Sequence, residues 1–430
     1  MRAANALLYQ MSLQMAHGNV YLWFILAAYI LIRLFRYLLD WLNIRHMKSH
    51  AGRVPLEFAD TVDAALLKKS EDYLLDQTKL TAVESALMSL VVIVFLFGGL
   101  LDRYNSWIAG LGFSFIVSGW LFFILLSLAE QFLAIPFNLY NVFRLERRYG
   151  FATTTPDLWL MDFVKEIVIS SMILSFFSYA GLWLMSHSPT HWWLWFWIVI
   201  FCFSMFITYI SPYVIEPLFN KFAPLEDEEL KGRILELCGK AGIGARKVLK
   251  MDASKRTRHS NAYFSGLGKS KRVVLFDTLL QGTSHVEILS VLAHEIGHWR
   301  RHHILKSLIM LQVLSLIALY LLFRVTEGTF LTSLFGVRVD TLFSRLTIAI
   351  FMGGTLAFLF QPIMMAFTRR MEREADHFST QLMRGANGLI SALVKLSKDN
   401  LSNPYPHPLY VVFHYSHPPV LERIRALKEG

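Results

Sequence analysis

Seven stretches of this chain are apolar for long enough to cross a bilayer, and no water-soluble fold accommodates that many. A helix needs about 20 residues to span a hydrocarbon core of about 30 Å. Candidate spans lie near residues 20–37, 86–101, 107–129, 167–185, 192–215, 308–323 and 346–367. Arg33 and Arg36 interrupt the end of the first, whereas the third and seventh carry no charge. Backbone polar groups in lipid must be satisfied within the segment, so each span is expected to be a helix. The composition agrees: 54% of residues are hydrophobic, above the roughly 45–50% of an ordinary soluble protein.

The net charge of +10 does not indicate a nucleic-acid partner, because the basic residues flank apolar runs, where they set topology. The segment after span one carries Arg45, Lys48, Arg53, Lys68 and Lys69, and the one after span three carries Arg144, Arg147 and Arg148. Residues 216–306 are rich in Lys and Arg, and span seven is followed by Arg369, Arg370 and Arg373. The second connection has only Arg103 and the fourth, 186–191, has none. The sixth, with Arg324, Arg338 and Arg345, is a partial exception. Basic residues are retained on the cytoplasmic side. The alternation therefore predicts an outside N-terminus and a cytoplasmic C-terminus. The first 18 residues carry one charge, Arg2, and no small-residue cleavage site, so the first span reads as a retained anchor. Cys202 lies in an apolar run and Cys238 in a polar region, which argues against a disulfide framework and against a Cys-ligated metal.

The expected fold is mainly α and polytopic, with a small α+β region on the cytoplasmic face. Residues 1–215 hold spans one to five, 216–303 a catalytic segment, 304–367 spans six and seven, and 368–430 a C-terminal cytoplasmic segment. Residues 55–80 read as a shorter amphipathic segment lying against these polar regions. There is no internal repeat and no Gly/Ser linker, so the chain reads as one unit, expected to act as a monomer.

Chemistry concentrates in VLAHEIGHWRRHHIL, residues 291–305, directly before span six. Ser284 and Glu287 form a capping box that starts a helix. Val286, Leu289, Leu292 and Ile296 recur at helical spacing, which puts His294 and His298 in mid-helix. Four residues advance a helix by about one turn and about 6 Å, so both imidazoles share a face and can converge on one ion. Glu295 points slightly round from them, where it can take a proton from a water activated by the ion. This is the HExxH arrangement of zinc metalloproteases. His302 lies about 12 Å along the axis from His294, too far to share the ion. His302 and His303 are therefore expected to form a polar collar at the membrane surface.

A catalytic zinc site needs a third protein ligand, and topology supplies candidates. Span six leaves the membrane face where span seven returns, just before TRRMEREADHF. Glu372, Glu374 and Asp376 are available there. Glu372 and Asp376 share a helix face, and Glu374 points away as a solvated charge. Glu372 is assigned as the ligand and Asp376 as the partner that orients a histidine ring. HSNAYFSGLGKSKRVVLFD, residues 259–277, reads as a β-hairpin. Its outer strand, with Asn261, Ala262 and Tyr263, could hold an extended peptide. His417 in SHPPVLERIRAL could stabilise an oxyanion.

The blocks HAGRVPLEFADTV, NLYNVFRLERRYGFATTTPDLWLMDFVKE, PLFNKFAPLEDEELK, SNAYFSGLGKSKRVVLFDTLL, HEIGHWRRHH, RRMEREADHF and SHPPVLERIRAL occur in this order. Together they resemble the type I CaaX prenyl proteases, integral-membrane zinc endopeptidases of the gluzincin type. The resemblance implies a seven-helix barrel around a water-filled intramembrane chamber, with one Zn²⁺ near its cytoplasmic rim. It implies His294, His298 and Glu372 as ligands, Glu295 as general base, and Asn261 and His417 as contacts to substrate or oxyanion. It also implies removal of the last three residues of proteins with an isoprenylated CaaX cysteine. Expected partners are thus a peptide or lipidated protein substrate and membrane lipid. Compact loops favour a bacterial inner membrane, with the endoplasmic reticulum as the eukaryotic counterpart. Two rival readings are a quality-control membrane metalloprotease with no prenyl requirement, and a seven-span receptor or transporter with a histidine collar.

Overall fold

The computed structural model describes residues 20–59, 61–244, 247–265 and 272–429. The N-terminal 19 residues, on which the retained-anchor expectation partly rests, and the hairpin turn at 266–271 lie outside that set. The membrane part begins with α1 (Val20–Ser49), α2 (Ala64–Phe97), the short α3 (Leu100–Gly110), α4 (Phe115–Tyr140), α5 (Pro156–His187) and α6 (Trp192–Ile210). A polar region follows, with β1 (Phe222–Pro224), α7 (Glu228–Lys240), β2 (Lys247–Met251), β3 (Ala262–Ser265), β4 (Arg272–Phe276) and α8 (His285–Arg300). The chain then re-enters the apolar region as α9 (His303–Thr326) and α10 (Leu342–Met383), and ends with α11 (Asn387–Asp399), α12 (Pro408–His414) and α13 (Val420–Glu429).

Among the described residues, seven helices are long and apolar enough to cross a membrane: α1, α2, α4 with its continuation to Tyr149, α5, α6, α9 and α10. Each overlaps one of the seven stretches read from sequence, although the third begins only at Phe115, because 107–110 belong to the separate α3, and the fifth ends at Ile210. Ile309, Val313, Ile317 and Leu321, spaced by four on α9, form an exposed apolar stripe, which is stable only against something other than bulk water.

Most of these helices are longer than a bilayer requires, α2 and α10 among them. At 1.5 Å per residue, the 34 residues of α2 and the 42 of α10 reach about 50 and about 63 Å. Residues 64–80 are therefore not a separate amphipathic segment but the polar half of α2, started by Asp63, whose carboxylate accepts from Leu66 N at 2.7 Å. With Phe58 and Val62 before it, Leu67 packs on Leu389 and Leu393 of α11 and on Leu421 and Ile424 of α13. In the same way α10 runs unbroken from the membrane into the catalytic region.

The arginines of the sixth connection are paired in the structure. Arg338 donates to the buried Asp102 carboxylate of α3 at 2.8 Å. Arg345 lies 3.3 Å from Asp340, and Arg324 lies 3.3 Å from Glu327. Each arginine of the sixth connection has a carboxylate partner.

The sheet has strand order β1-β2-β4-β3, with β2 and β4 parallel and the outer pairs antiparallel. The hairpin of β3 and β4 matches the sequence reading, and β3 is an edge. Val273 and Leu275 meet Ile288, Leu292 and Ile296 of α8 in one buried core, leaving the opposite side of α8 to face α10. Contact there is close. A Cβ at Gly297 would lie 3.0 Å from both Ala375 Cα and Ala375 O, whereas one at Gly232 in α7 would meet nothing within 4 Å. Alanine favours a helix over glycine by roughly 0.5–1 kcal/mol, and forced overpacking costs about 1–3 kcal/mol. Gly232→Ala should therefore raise the melting temperature slightly and Gly297→Ala should lower it, measured by thermal unfolding in detergent. A rise in both would contradict the tight helix crossing.

Candidate metal centre and active site

The capping box at the start of α8 forms as expected: Glu287 N donates to Ser284 Oγ at 3.4 Å, and Ser284 N donates to Glu287 Oε2 at 2.8 Å. With that start, Ile288, Leu292 and Ile296 point into the sheet core. His294 and His298, half a turn round, face α10. Glu372 and Asp376 project from α10 one turn apart, both buried.

Side-chain donor atoms of His294, His298 and Glu372 all lie within 4.8 Å of one another. His294 Nε2 is 3.2 Å from His298 Nε2. The Glu372 oxygens lie 3.3 Å from each of these nitrogens. Glu372 Oε2 is buried and has no hydrogen-bond partner. An unsatisfied buried carboxylate oxygen is costly, and a cation shared with two imidazoles would satisfy it. Two nitrogens and one carboxylate, with no thiolate, are a donor set suited to a divalent metal of the zinc type. The residues present therefore fit such an ion.

Both imidazoles are oriented from behind. His294 Nδ1 is 2.8 Å from Asp376 Oδ1, so Nδ1–H donates there and Nε2 faces the cluster. Asp376 is itself gripped by Arg423, at 2.6 and 2.8 Å through Nη2 and Nε. His298 Nδ1 is 3.0 Å from His303 Nδ1, and His303 Nε2 is 3.1 Å from Glu374 Oε2. Glu374 accepts from His303, whose Nδ1 then accepts from His298 Nδ1–H, freeing His298 Nε2. This corrects two sequence readings. His303 is no headgroup collar but a residue only 2% exposed, and Glu374 is its acceptor, not a solvated charge. The break between α8 and α9 at His302, with φ of +57°, begins the helix that carries His303. Burial alone would lower the His294 pKa, but the Asp376 and Glu372 carboxylates beside the ring raise it to about 9. Burial pushes the Glu295 carboxyl above its ordinary value, partly opposed by the neighbouring histidines.

The remaining candidates are placed less uniformly. His417 Nε2 lies 3.3 Å from Glu372 Oε1, at the same cluster although far in sequence. Its Nδ1 is 2.8 Å from Ser416 Oγ. Asn261 is exposed just before β3, and its Oδ1 accepts from Ala262 N at 2.8 Å. The Ala262 side chain belongs to the apolar core, and the Tyr263 hydroxyl donates to Glu216 Oε2 at 2.8 Å. These two side chains serve packing, and what β3 offers a ligand is its outer backbone edge. The sequence reading does not include Arg423, and it gives His303 a different role. Their signal was present in ERIRAL and RRHH, but a burial that depends on α13 and on the α8–α9 break is not a local property.

A His/His/Glu cluster shared by α8, which adjoins a membrane-length helix, and α10, which is one, is the arrangement of a membrane-embedded metallopeptidase. Residues 43–221 match the family model described as CAAX prenyl protease N-terminal, five membrane helices, and residues 224–430 match that of peptidase family M48. The chain is 32% identical to the CAAX prenyl protease 1 homolog of Mus musculus, covering 90% of this chain and 91% of that one. It is 36% identical to CAAX prenyl protease 1 of Saccharomyces cerevisiae over 70% of each. Among solved structures it resembles S. mikatae Ste24p, with a TM-score of 0.87, 30% identity, and coverage of 95% of this chain and 99% of that one. The chain belongs to peptidase family M48, with the membrane domain of the CAAX prenyl proteases.

Removing a partner that orients a metal-binding histidine typically costs 10–100-fold in metal affinity. His303→Ala should therefore weaken metal binding by about that factor, read by competition with a chelator. Unchanged affinity would show that His303 does not orient His298.

Proposed function

We propose that this protein is a zinc endopeptidase that cleaves near the C-terminus of CaaX-type proteins, prenylated ones included. The observation that carries this reading is the position of the cluster, on α8 and α10, one adjoining a membrane span and the other continuous with one. A substrate that is partly in lipid can present its polar end there. The names of the matched relatives supply the CaaX substrate class.

His294, His298 and Glu372 would hold the ion, whose chemistry when bound would be to polarise a peptide carbonyl and to lower the pKa of water. Glu295 accepts the proton of the attacking water and returns it to the departing amine. A carboxyl raised by burial suits that exchange. Ser416 donates to His417 Nδ1, leaving Nε2–H to donate to the developing oxyanion. Substrate lies extended along the backbone edge of β3 as an added strand, with Asn261 at its end. The catalytic region faces the cytoplasm and the N-terminus lies outside, in a bacterial inner membrane or, in a eukaryote, in the endoplasmic reticulum. The protein works as a monomer. Its division falls into a membrane part to residue 215, a catalytic segment to 303, spans six and seven to 367, and a C-terminal segment that brings the third ligand.

Glu295→Gln should lower kcat by about 10²–10⁴-fold with zinc stoichiometry unchanged. His417→Ala should lower kcat by about 10²–10³-fold. Both are read by cleavage of one CaaX peptide in farnesylated and unmodified forms. Preferential cutting of the farnesylated peptide is expected. Equal cutting of both would point to membrane-protein quality control instead, and full activity of Glu295→Gln would exclude its role as base.

A further inference from the structure

The backbone is disturbed twice where α4 ends. Pro136 lies inside the helix, removing an N–H and one rung of the hydrogen-bond ladder. Residues Asn141–Glu146 then form a π-helical turn, an irregularity frequent at functional sites. Between this end of α4 and the middle of α2 lies a cleft of about 890 Å³.

One part of the cleft is apolar, lined by Val83, Phe137 and Tyr140, and another is basic, lined by Lys79, Arg144, Arg147 and Arg148. Asp76 is the one carboxylate on its wall. It lies 2.9 Å from Arg148 and 3.4 Å from Lys79, and accepts from the Tyr149 hydroxyl at 2.9 Å. Arg144 and Arg147 are exposed and have no carboxylate partner among the described residues. A second cleft, bordered by the same two helices, is instead lined by Asp40, Thr81, Glu84 and Asn138. Membrane helices turn apolar residues to lipid, and the apolar wall of the first cleft is of that kind. Val83 and Tyr140 on its wall are 61% and 54% exposed. The basic groups lie where both helices change from apolar to charged sequence, which is the depth of lipid phosphates.

We propose that this cleft binds the phosphate headgroup of an anionic phospholipid, held by Arg144 and Arg147, with an acyl chain along Val83, Phe137 and Tyr140. The guanidinium fork matches phosphate oxygens, and the apolar wall is what a soluble phosphate would leave uncovered. The same turn carries Glu146, whose Oε1 accepts from Tyr73 at 2.6 Å and whose Oε2 is 3.5 Å from His259 Nε2. His259 stands two residues before Asn261, its ring 4.1 Å from that of Phe151. A lipid that fixes the turn therefore also fixes the approach to β3.

The test is native mass spectrometry of the full chain released from nanodiscs of phosphatidylcholine mixed with phosphatidylglycerol. Arg144→Gln/Arg147→Gln should retain phosphatidylglycerol about tenfold less than wild type, with phosphatidylcholine retention unchanged. Arg233→Gln/Lys240→Gln, which removes two charges from α7, should retain it like wild type. Equal retention by wild type and the first pair, or equal loss from both pairs, overturns the proposal. In a second arm, phosphatidylglycerol should raise the wild-type melting temperature and inorganic phosphate should not. An equal rise with phosphate alone would make this a site for a soluble anion and overturn the lipid reading.

Discussion

Glu372 lies between two imidazoles with one carboxylate oxygen buried and unpartnered, and the surrounding structure is organised around that oxygen. Buried polar atoms without partners are expensive, so each neighbour of the cluster is held in place, and a cation shared with the two imidazoles would satisfy the oxygen. Asp376 and Arg423 fix His294, and His303 and Glu374 fix His298. Behind them, Gly297 lets α8 approach the Ala375 backbone closely enough for the two histidines and Glu372 to meet. A side chain at that point would press on the backbone of a long regular helix, which has little room to give.

That same helix ties chemistry to membrane. α10 spans the apolar region and carries Glu372 and Asp376 without a break, and α9 departs two residues after α8. The site is thereby tied to two membrane-length helices, one of which carries Pro362 within it. The polar half of α2 adds a third strut, packed on α11 and α13, and α13 in turn supplies Arg423. The whole polar region is thereby registered against the membrane helices at three places.

What was legible in the sequence was local or periodic. The spans follow from apolar runs, the start of α8 from Ser284 and Glu287, the β3–β4 hairpin from alternation around a turn, and the shared face of His294 and His298 from helical geometry. Glu372 required one tertiary step, the return of span seven to the same membrane face. His303, Glu374 and Arg423 required knowing which side chains are buried. An arginine on a short amphipathic helix, or a histidine beside two arginines, reads as solvated until the packing partners are known. Residues 55–80 misled for a related reason, since an amphipathic half-helix and its apolar continuation differ in composition but not in backbone.

The account rests on a metal held by two imidazoles and a carboxylate, and X-ray absorption at the zinc edge of the purified protein tests that most directly. It should show two nitrogen neighbours from imidazole near about 2.0–2.1 Å, the rest oxygen, and no sulfur, with one imidazole fewer in His298→Ala. A sulfur neighbour, or an imidazole count unchanged in His298→Ala, would contradict the site described between α8 and α10.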